Sequence, residues 1–161
     1  MHRAAAWLAK AGVGQFLDIG TGIPTEPNLH QIVQAIRPDA RIVYADNDPI
    51  VLRHAEALLT SNRAGATDFL LADVRQPEAI LERAREILDF EHPIALSLIA
   101  LLHFLPDDED PYRIVRTLVE ELLRQLPASL ARDRRPAPGA EAGDRGRVQE
   151  GCDPAADAHP R

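Results

Sequence analysis

The fold of this chain is most clearly indicated by the segment Phe16-Leu17-Asp18-Ile19-Gly20-Thr21-Gly22. A short apolar run that ends in an acid and two nearby glycines is typical of a buried parallel strand leading into a ligand-binding loop. Gly20 and Gly22 lack a Cβ, so the backbone can turn sharply there and approach a ligand closely. Because a helical pattern follows, the loop amides and the positive end of the helix dipole would face that ligand.

Length, composition and charge exclude several classes of protein. The chain has 161 residues, 45% of them hydrophobic, which is enough for one domain with a core. Its net charge of −7 argues against a general nucleic-acid-binding protein. The single cysteine excludes an intrachain disulfide, and we find no signal-peptide pattern and no apolar run that could span a bilayer. We therefore expect a cytoplasmic protein that binds neither nucleic acid nor membranes.

The spacing of apolar and turn-forming residues predicts one helix followed by four strand–helix units. The predicted strands are 15–19, 41–46, 67–72 and 94–102; helices are expected within 1–13, 28–36, 77–88 and 111–126, and from Pro49 onward. Nearly continuous apolarity in the fourth strand indicates burial on both faces, as in a central parallel strand. This order predicts an α/β protein with a doubly wound, Rossmann-like parallel sheet of strand order 3-2-1-4.

Ligands of such sheets bind beyond the carboxyl ends of the strands. Asp18, Gly20, Asp46, Asp73 and His103 all fall at or just past predicted strand ends. The acids at the ends of strands two and three could instead cap the helices that follow them. The acid of the Asp-Pro pair at 48–49 is interpreted as a helix cap rather than a ligand contact.

Three acids and a glycine loop in this arrangement resemble the class I S-adenosylmethionine-dependent methyltransferases. Within that superfamily, four stretches are similar to one bacterial methyltransferase family of largely uncharacterised members. They are QFLDIGTGIPT at 15–25, VYADNDP at 43–49, ADVRQP at 72–77 and LLHF at 101–104. The resemblance covers residues 1–122, and its motifs are specific as a set although each is weak alone.

The resemblance implies S-adenosyl-L-methionine as the cofactor. The residues that it assigns to cofactor binding are Asp18, Gly20, Thr21, Gly22, Asp46, Asn47, Asp73 and Val74. The loop from Gly20 to Gly22 would offer backbone amides to the methionyl carboxylate. Asp18 would orient that loop or meet the methionyl ammonium group.

The nucleoside end of the cofactor is assigned to the ends of strands two and three. Asp46 would accept both ribose hydroxyls, because a carboxylate offers two acceptor oxygens side by side. Asn47 would be a second ribose or adenine contact. Asp73 would accept from the adenine amino group, while the backbone of Val74 would serve the ring edge.

The catalytic residue is unknown from the sequence, and His103 is the one candidate. It could act as a general base because histidine titrates near neutrality, or it could simply be a polar residue that starts a loop. The acidic run at 107–110 is interpreted as a solvated loop with helix N-terminal charge. No metal site is predicted, since neither His30 nor His54 has a partner at ligand spacing. We expect a small-molecule methyl acceptor.

The nearest alternative is an NAD(P)-binding Rossmann protein. Its G-x-G-x-x-G fingerprint needs a third glycine where this chain has Thr25, preceded by Pro24. That departure and the acids at Asp18 and Asp73 suit a methyltransferase better.

The sequence after 126 changes character and becomes rich in Ala, Arg, Pro and Gly. We expect 1–126 to be an incomplete S-adenosylmethionine-binding domain and 127–161 to be a disordered tail that arises from a frameshift near 120–127. By resemblance, further strands would follow and a lid segment would precede Met1, so the chain looks truncated at both ends.

An incomplete domain has consequences for activity and association. We expect a cofactor site with low or no turnover, and self-association through the exposed edge of strand four. Two non-enzymatic alternatives stay open, namely a cofactor-binding partner subunit and a nonfunctional fragment.

Overall fold

A computed structural model describes residues 1–58 and 64–124 of the chain. Four parallel strands form one sheet of order β3-β2-β1-β4, which confirms the predicted α/β fold. The elements in chain order are α1 (His2–Lys10), β1 (Gln15–Ile19), α2 (Leu29–Gln34), β2 (Arg41–Asp46), α3 (Pro49–Leu58), β3 (Ala66–Leu71), α4 (Pro77–Ala84), β4 (Ile94–Ser97), the short 3-10 helices η1 (Leu102–Phe104) and η2 (Asp107–Glu109), and α5 (Pro111–Arg124).

The sheet is covered on both faces. One face packs with α4 and α5 around Leu17, Val43 and Leu70. The other face packs with α1 and α2 around Phe16 and Ile42. Because successive side chains of a strand point to opposite faces, a strand buried on both sides must be apolar at nearly every position. β1 and β2 follow this rule, whereas all four residues of β4, at an edge of the described sheet, are only half-buried instead of buried on both faces as the apolar run predicts.

The register brings the polar ends of the strands together. β1 lies between β2 and β4, and Asp18 stands opposite Tyr44 on one side and Ser97 on the other. Since all four strands run in the same direction, the residues that follow Ile19, Asp46 and the other strand ends gather at one end of the sheet. That end is where a ligand site was expected.

The fourth strand is shorter than the apolar run at 94–102 predicts. β4 ends at Ser97, and the chain enters η1 at Leu102. Between them Ala100 has φ 56°, a left-handed conformation that is uncommon for residues with a Cβ and that turns the chain out of the sheet. Leu98, Leu101 and Leu102 pack against the core on the α4–α5 face, so their apolarity reflects packing rather than strand pairing.

Other boundaries differ less. α2 and α4 end before the predicted 36 and 88, and β3 begins and ends one residue earlier than predicted. None of the helices in the described ranges is long and apolar enough to cross a membrane. The predicted tail at 127–161, and with it the proposed domain boundary, lies outside the described residues.

Candidate cofactor site

A cleft of about 550 Å³ opens at the carboxyl ends of the strands. Its walls come from the loop after β1, the ends of β2 and β3, and the segment after β4. Six of the eight predicted cofactor residues line it, namely Gly20, Gly22, Asp46, Asn47, Asp73 and Val74. The other two, Asp18 and Thr21, do not line it. A cleft of this volume is large enough for a cofactor-sized ligand.

The glycine loop forms one wall through backbone alone. Gly20 and Gly22 have φ values of 77° and 66°, which favour glycine. A Cβ on Gly20 would lie 2.9 Å from Cδ1 of Leu101, whereas a Cβ on Gly22 would meet no atom within 4 Å. Gly20 is therefore needed for the packing of Leu101 on the loop, and Gly22 faces open space where a ligand can approach.

Two hydrogen bonds hold this loop on β2. The N–H of Gly20 donates to the carbonyl oxygen of Ala45 at 2.8 Å. The N–H of Gly22 donates to Oδ2 of Asp46 at 2.8 Å, and Oδ1 of Asp46 accepts from the N–H of Asp48 at 3.0 Å. A carboxylate has about four acceptor positions, so each oxygen of Asp46 retains capacity for one more donor, such as a hydroxyl.

Asp48 caps a helix, as its position before a proline predicts. Its Oδ1 accepts from the N–H of Ile50 at 2.8 Å in the first turn of α3, which satisfies one of the unpaired amides there. The last acid of the run at 107–110 does the same for α5, because Oδ1 of Asp110 accepts from the N–H of Arg113 at 3.0 Å.

Asp73 lines the cleft at the end of β3, where it belongs to a charged network with Arg75 and Glu109. Its Oδ1 accepts from the backbone N–H of Arg75 at 2.9 Å, and Nη1 of the same arginine lies 3.3 and 3.4 Å from the two carboxylate oxygens. Nε of Arg75 donates to Oε2 of Glu109 at 2.8 Å. Sequence reasoning missed both partners, and it treated Glu109 as solvated charge. An arginine two residues after the acid was the only available signal.

Asp18 is a buried support rather than a part of the cleft wall. It is 3% exposed and lies on the α1–α2 face, where its Oδ2 has no hydrogen-bond partner among the described residues. Burial raises the pKa of Asp18; a hydrogen bond with Ser97 opposes this shift, and the nearby charge of Asp46 adds to it. The hydroxyl of Thr21 donates to the Asp18 carbonyl oxygen at 3.1 Å, which ties the loop to the strand. Contact of Asp18 with a ligand stays a prediction.

A buried polar pair, His30 and Tyr44, fixes α2 against the face of the sheet that α1 and α2 cover. The N–H of His30 donates to the hydroxyl oxygen of Tyr44 at 2.9 Å, and Nδ1 of His30 lies 3.0 Å from that oxygen. Burial lowers the pKa of His30, which favours the neutral ring, and in the tautomer protonated on Nε2 its Nδ1 accepts the Tyr44 hydroxyl proton. Both polar groups are thereby satisfied without water.

His103 does not join the cofactor residues. It is exposed on η1, with its ring centroid 4.0 Å from that of Phe104. It lines a neighbouring apolar groove together with Tyr112 and Val119. Its role as a general base stays a prediction. Within 1–58 and 64–124, no group of three or more His, Cys, Asp or Glu side chains is arranged to hold a metal ion.

Comparison with known proteins adds independent information. Residues 1–137 match the family model described as S-adenosyl methyltransferase. A solved structure of a DUF574 family protein from Streptomyces avermitilis MA-4680 is similar at 50% identity with a TM-score of 0.72, over 78% of this chain and 48% of that one. A candidate methyltransferase from Thermobifida fusca YX is similar at 41% identity with a TM-score of 0.63, over 78% and 46%. No curated protein matches the chain.

The chain spans about half the length of these two solved proteins. The family match agrees with the resemblance carried by the four sequence motifs and does not favour the dinucleotide-binding alternative. Because the match extends over residues 1–137, this chain belongs to the S-adenosyl methyltransferase family.

Proposed function

We propose that this chain binds S-adenosyl-L-methionine in the cleft as the cofactor-binding portion of a methyltransferase with a small-molecule acceptor, and that its own turnover is low or absent. The observation that carries the proposal is the placement of two carboxylates, Asp46 and Asp73, at the ends of neighbouring strands beside an open glycine loop. A ligand with a ribose diol and an adenine amino group has donors for both carboxylates. A dinucleotide such as NAD carries the same ribose diol and adenine, so what disfavours it is Thr25, which stands where its G-x-G-x-x-G fingerprint needs a third glycine.

The acceptor groups of the cleft suit the nucleoside end of the cofactor, whereas the N–H groups of Gly20 and Gly22 already donate to Ala45 and Asp46. Asp46 retains acceptor capacity for the ribose hydroxyls, and Asn47 lies next to it on the same wall. Asp73 faces the cleft beside Val74, whose backbone would serve the adenine edge. The open space at Gly22 leaves room for the methionyl group near the loop.

The cofactor, when bound, supplies a methyl group already activated on a sulfonium sulfur. In the transfer, a nucleophilic atom of the acceptor bonds to the methyl carbon while the carbon–sulfur bond breaks and its electron pair stays on sulfur. The proton that the acceptor loses passes to water or to a base, for which His103 is our candidate. Since the leaving group needs no further activation, positioning by this chain supplies much of the acceleration.

Isothermal titration with S-adenosylmethionine and S-adenosylhomocysteine tests the binding half of the proposal. We expect both ligands to bind the wild-type chain. Asp46→Ala should lower the affinity for each ligand by about 100-fold, because two hydrogen bonds to a charged group are lost. Asp39→Ala is the matched control, since Asp39 is exposed and pairs with Arg37. Absence of binding to wild type, or equal affinity of Asp46→Ala, would contradict the assignment.

Release of S-adenosylhomocysteine with a panel of small amine, hydroxyl and thiol acceptors tests the transfer half. We expect release close to the background of acceptor-free samples for every class, because the chain spans about half the length of its solved relatives. Sustained release well above that background would contradict the expected low or absent turnover and leave cofactor binding intact.

A further inference from the structure

We propose that Arg75 and Glu109 are positioning residues that orient the Asp73 carboxylate and thereby let the cleft distinguish adenine from hypoxanthine. The inference rests on the proposed function, because it assumes that the nucleoside end of the cofactor lies against Asp73. It concerns action through the carboxylate: Arg75 also lines the cleft, whereas Glu109 does not, so the Glu109 variant tests that action without a change to the cleft lining.

The Asp73 side chain is about a third exposed at 32%, so the surrounding core does not fix its orientation. The backbone N–H and Nη1 of Arg75 both approach Oδ1, at 2.9 and 3.3 Å, whereas Oδ2 has only the contact of 3.4 Å with Nη1. Oδ1 is therefore the more fully engaged oxygen. Oδ2 retains the greater capacity to accept a hydrogen bond from a ligand.

Glu109 fixes the arginine in turn. Nε of Arg75 donates to Glu109 at 2.8 Å while Nη1 of the same rigid, planar guanidinium faces Asp73. Two carboxylates held by one planar group restrict its rotation, which a flexible lysine ammonium could not do. Because Glu109 lies on η2, this network also ties the segment after β4 to the end of β3.

Adenine and hypoxanthine differ at the exocyclic group that would face the Asp73 carboxylate. Adenine carries an amino donor there, whereas hypoxanthine carries a carbonyl acceptor that a carboxylate oxygen repels. Discrimination between the two bases depends on the orientation of the carboxylate. A substitution that only destabilises the fold would lower the affinity for both ligands by the same factor. The ratio of the two affinities therefore separates positioning from general structural support.

The test is calorimetric titration of the full chain with S-adenosylhomocysteine and with its hypoxanthine analogue, S-inosylhomocysteine. We expect wild type to prefer the adenine ligand by about tenfold, and Asp73→Ala to lose that preference. Arg75→Gln and Glu109→Gln should each reduce it by about threefold, as suits partly exposed ion pairs. Arg75→Lys should fall between wild type and Arg75→Gln.

Arg113→Gln is the matched control, because Arg113 is exposed and approaches Glu78 at 4.0 Å. Its ligand preference should equal that of wild type. If Arg75→Gln lowers both affinities by the same factor, the positioning role is overturned. If wild type binds neither ligand, the proposed function itself is contradicted. If it binds both with equal affinity, recognition of adenine by Asp73 is contradicted, and with it the positioning role of Arg75 and Glu109, whereas cofactor binding stands.

Discussion

Substitution of Gly20 by alanine should destabilise the chain more than the same change at Gly22. Both glycines have a left-handed backbone, for which a residue with a Cβ costs about 1–2 kcal/mol. At Gly20 the new methyl group would also lie 2.9, 3.0 and 3.1 Å from Cδ1, Cδ2 and Cβ of Leu101. Since the Cβ cannot move without its backbone, we add an overpacking term of about 1–3 kcal/mol. Gly20→Ala should therefore cost about 2–5 kcal/mol in total, and Gly22→Ala only the backbone term.

Urea unfolding of the ligand-free chain, followed by far-UV circular dichroism, measures both costs. Fluorescence is a poor probe here because the single tryptophan, Trp7, is 58% exposed. The double variant Gly20→Ala with Leu101→Ala removes the two closest contacts but retains the Cβ, so part of the clash should disappear. Equal free energies of unfolding for Gly20→Ala and Gly22→Ala would show that the close approach of Leu101 to Gly20 adds no steric cost.

Three further outcomes follow from the buried groups and from the sheet edge. Burial raises the pKa of Asp18 in the folded chain, so the stabilisation linked to its proton is present below the unfolded pKa and is lost as the pH rises through the folded pKa. Asp18→Asn should therefore be more stable than wild type at about pH 7 but not at about pH 4. Urea unfolding at both pH values measures the difference. Tyr44→Phe leaves the buried N–H and Nδ1 of His30 without their partner and should lower the unfolding free energy by about 1–3 kcal/mol, and an unchanged value would show that water replaces the hydroxyl. The outer edge of β4 has no partner strand among the described residues, so light scattering should show the molecular mass of wild type rising with concentration. The rise should be smaller for Ile99→Asp, which replaces a 53% exposed apolar side chain two residues after the end of β4. A monomer mass that does not change with concentration would contradict self-association.

The sequence predicts the first two strands residue for residue, because turn-forming residues bracket them. Gly14 and Gly20 flank β1, and Pro49 soon follows β2. The sheet order also follows, since four strand–helix units with an acid–glycine turn after the first leave few topologies.

The end of β4 is not predictable from apolar periodicity. Residues 94–102 are as apolar as a central strand, yet the chain leaves the sheet through a left-handed turn at Ala100. An alanine carries no local signal for that conformation, which tertiary packing of Leu101 on the glycine loop must stabilise. The strand propensity of residues 98–102 is therefore overridden by contacts with residues distant in sequence.

The charged partners of the cleft escape sequence reasoning for a similar reason. Arg75 and Glu109 lie 34 positions apart, and neither position shows a motif that links them. Likewise, alternation along β1 places Asp18 on the α1–α2 face, while its neighbours at the strand end reach the cleft. Composition and spacing identify which residues gather at the end of the sheet but not which way each side chain turns.

A crystal structure of the chain with S-adenosylhomocysteine would show whether the cleft binds the cofactor through its two carboxylates. We expect both ribose hydroxyls within about 3.2 Å of the Asp46 carboxylate and the adenine amino group at the same distance from Asp73. The homocysteine group should lie over Gly22. A ligand bound elsewhere on the chain, or one in the cleft whose ribose does not contact Asp46, would contradict that expectation.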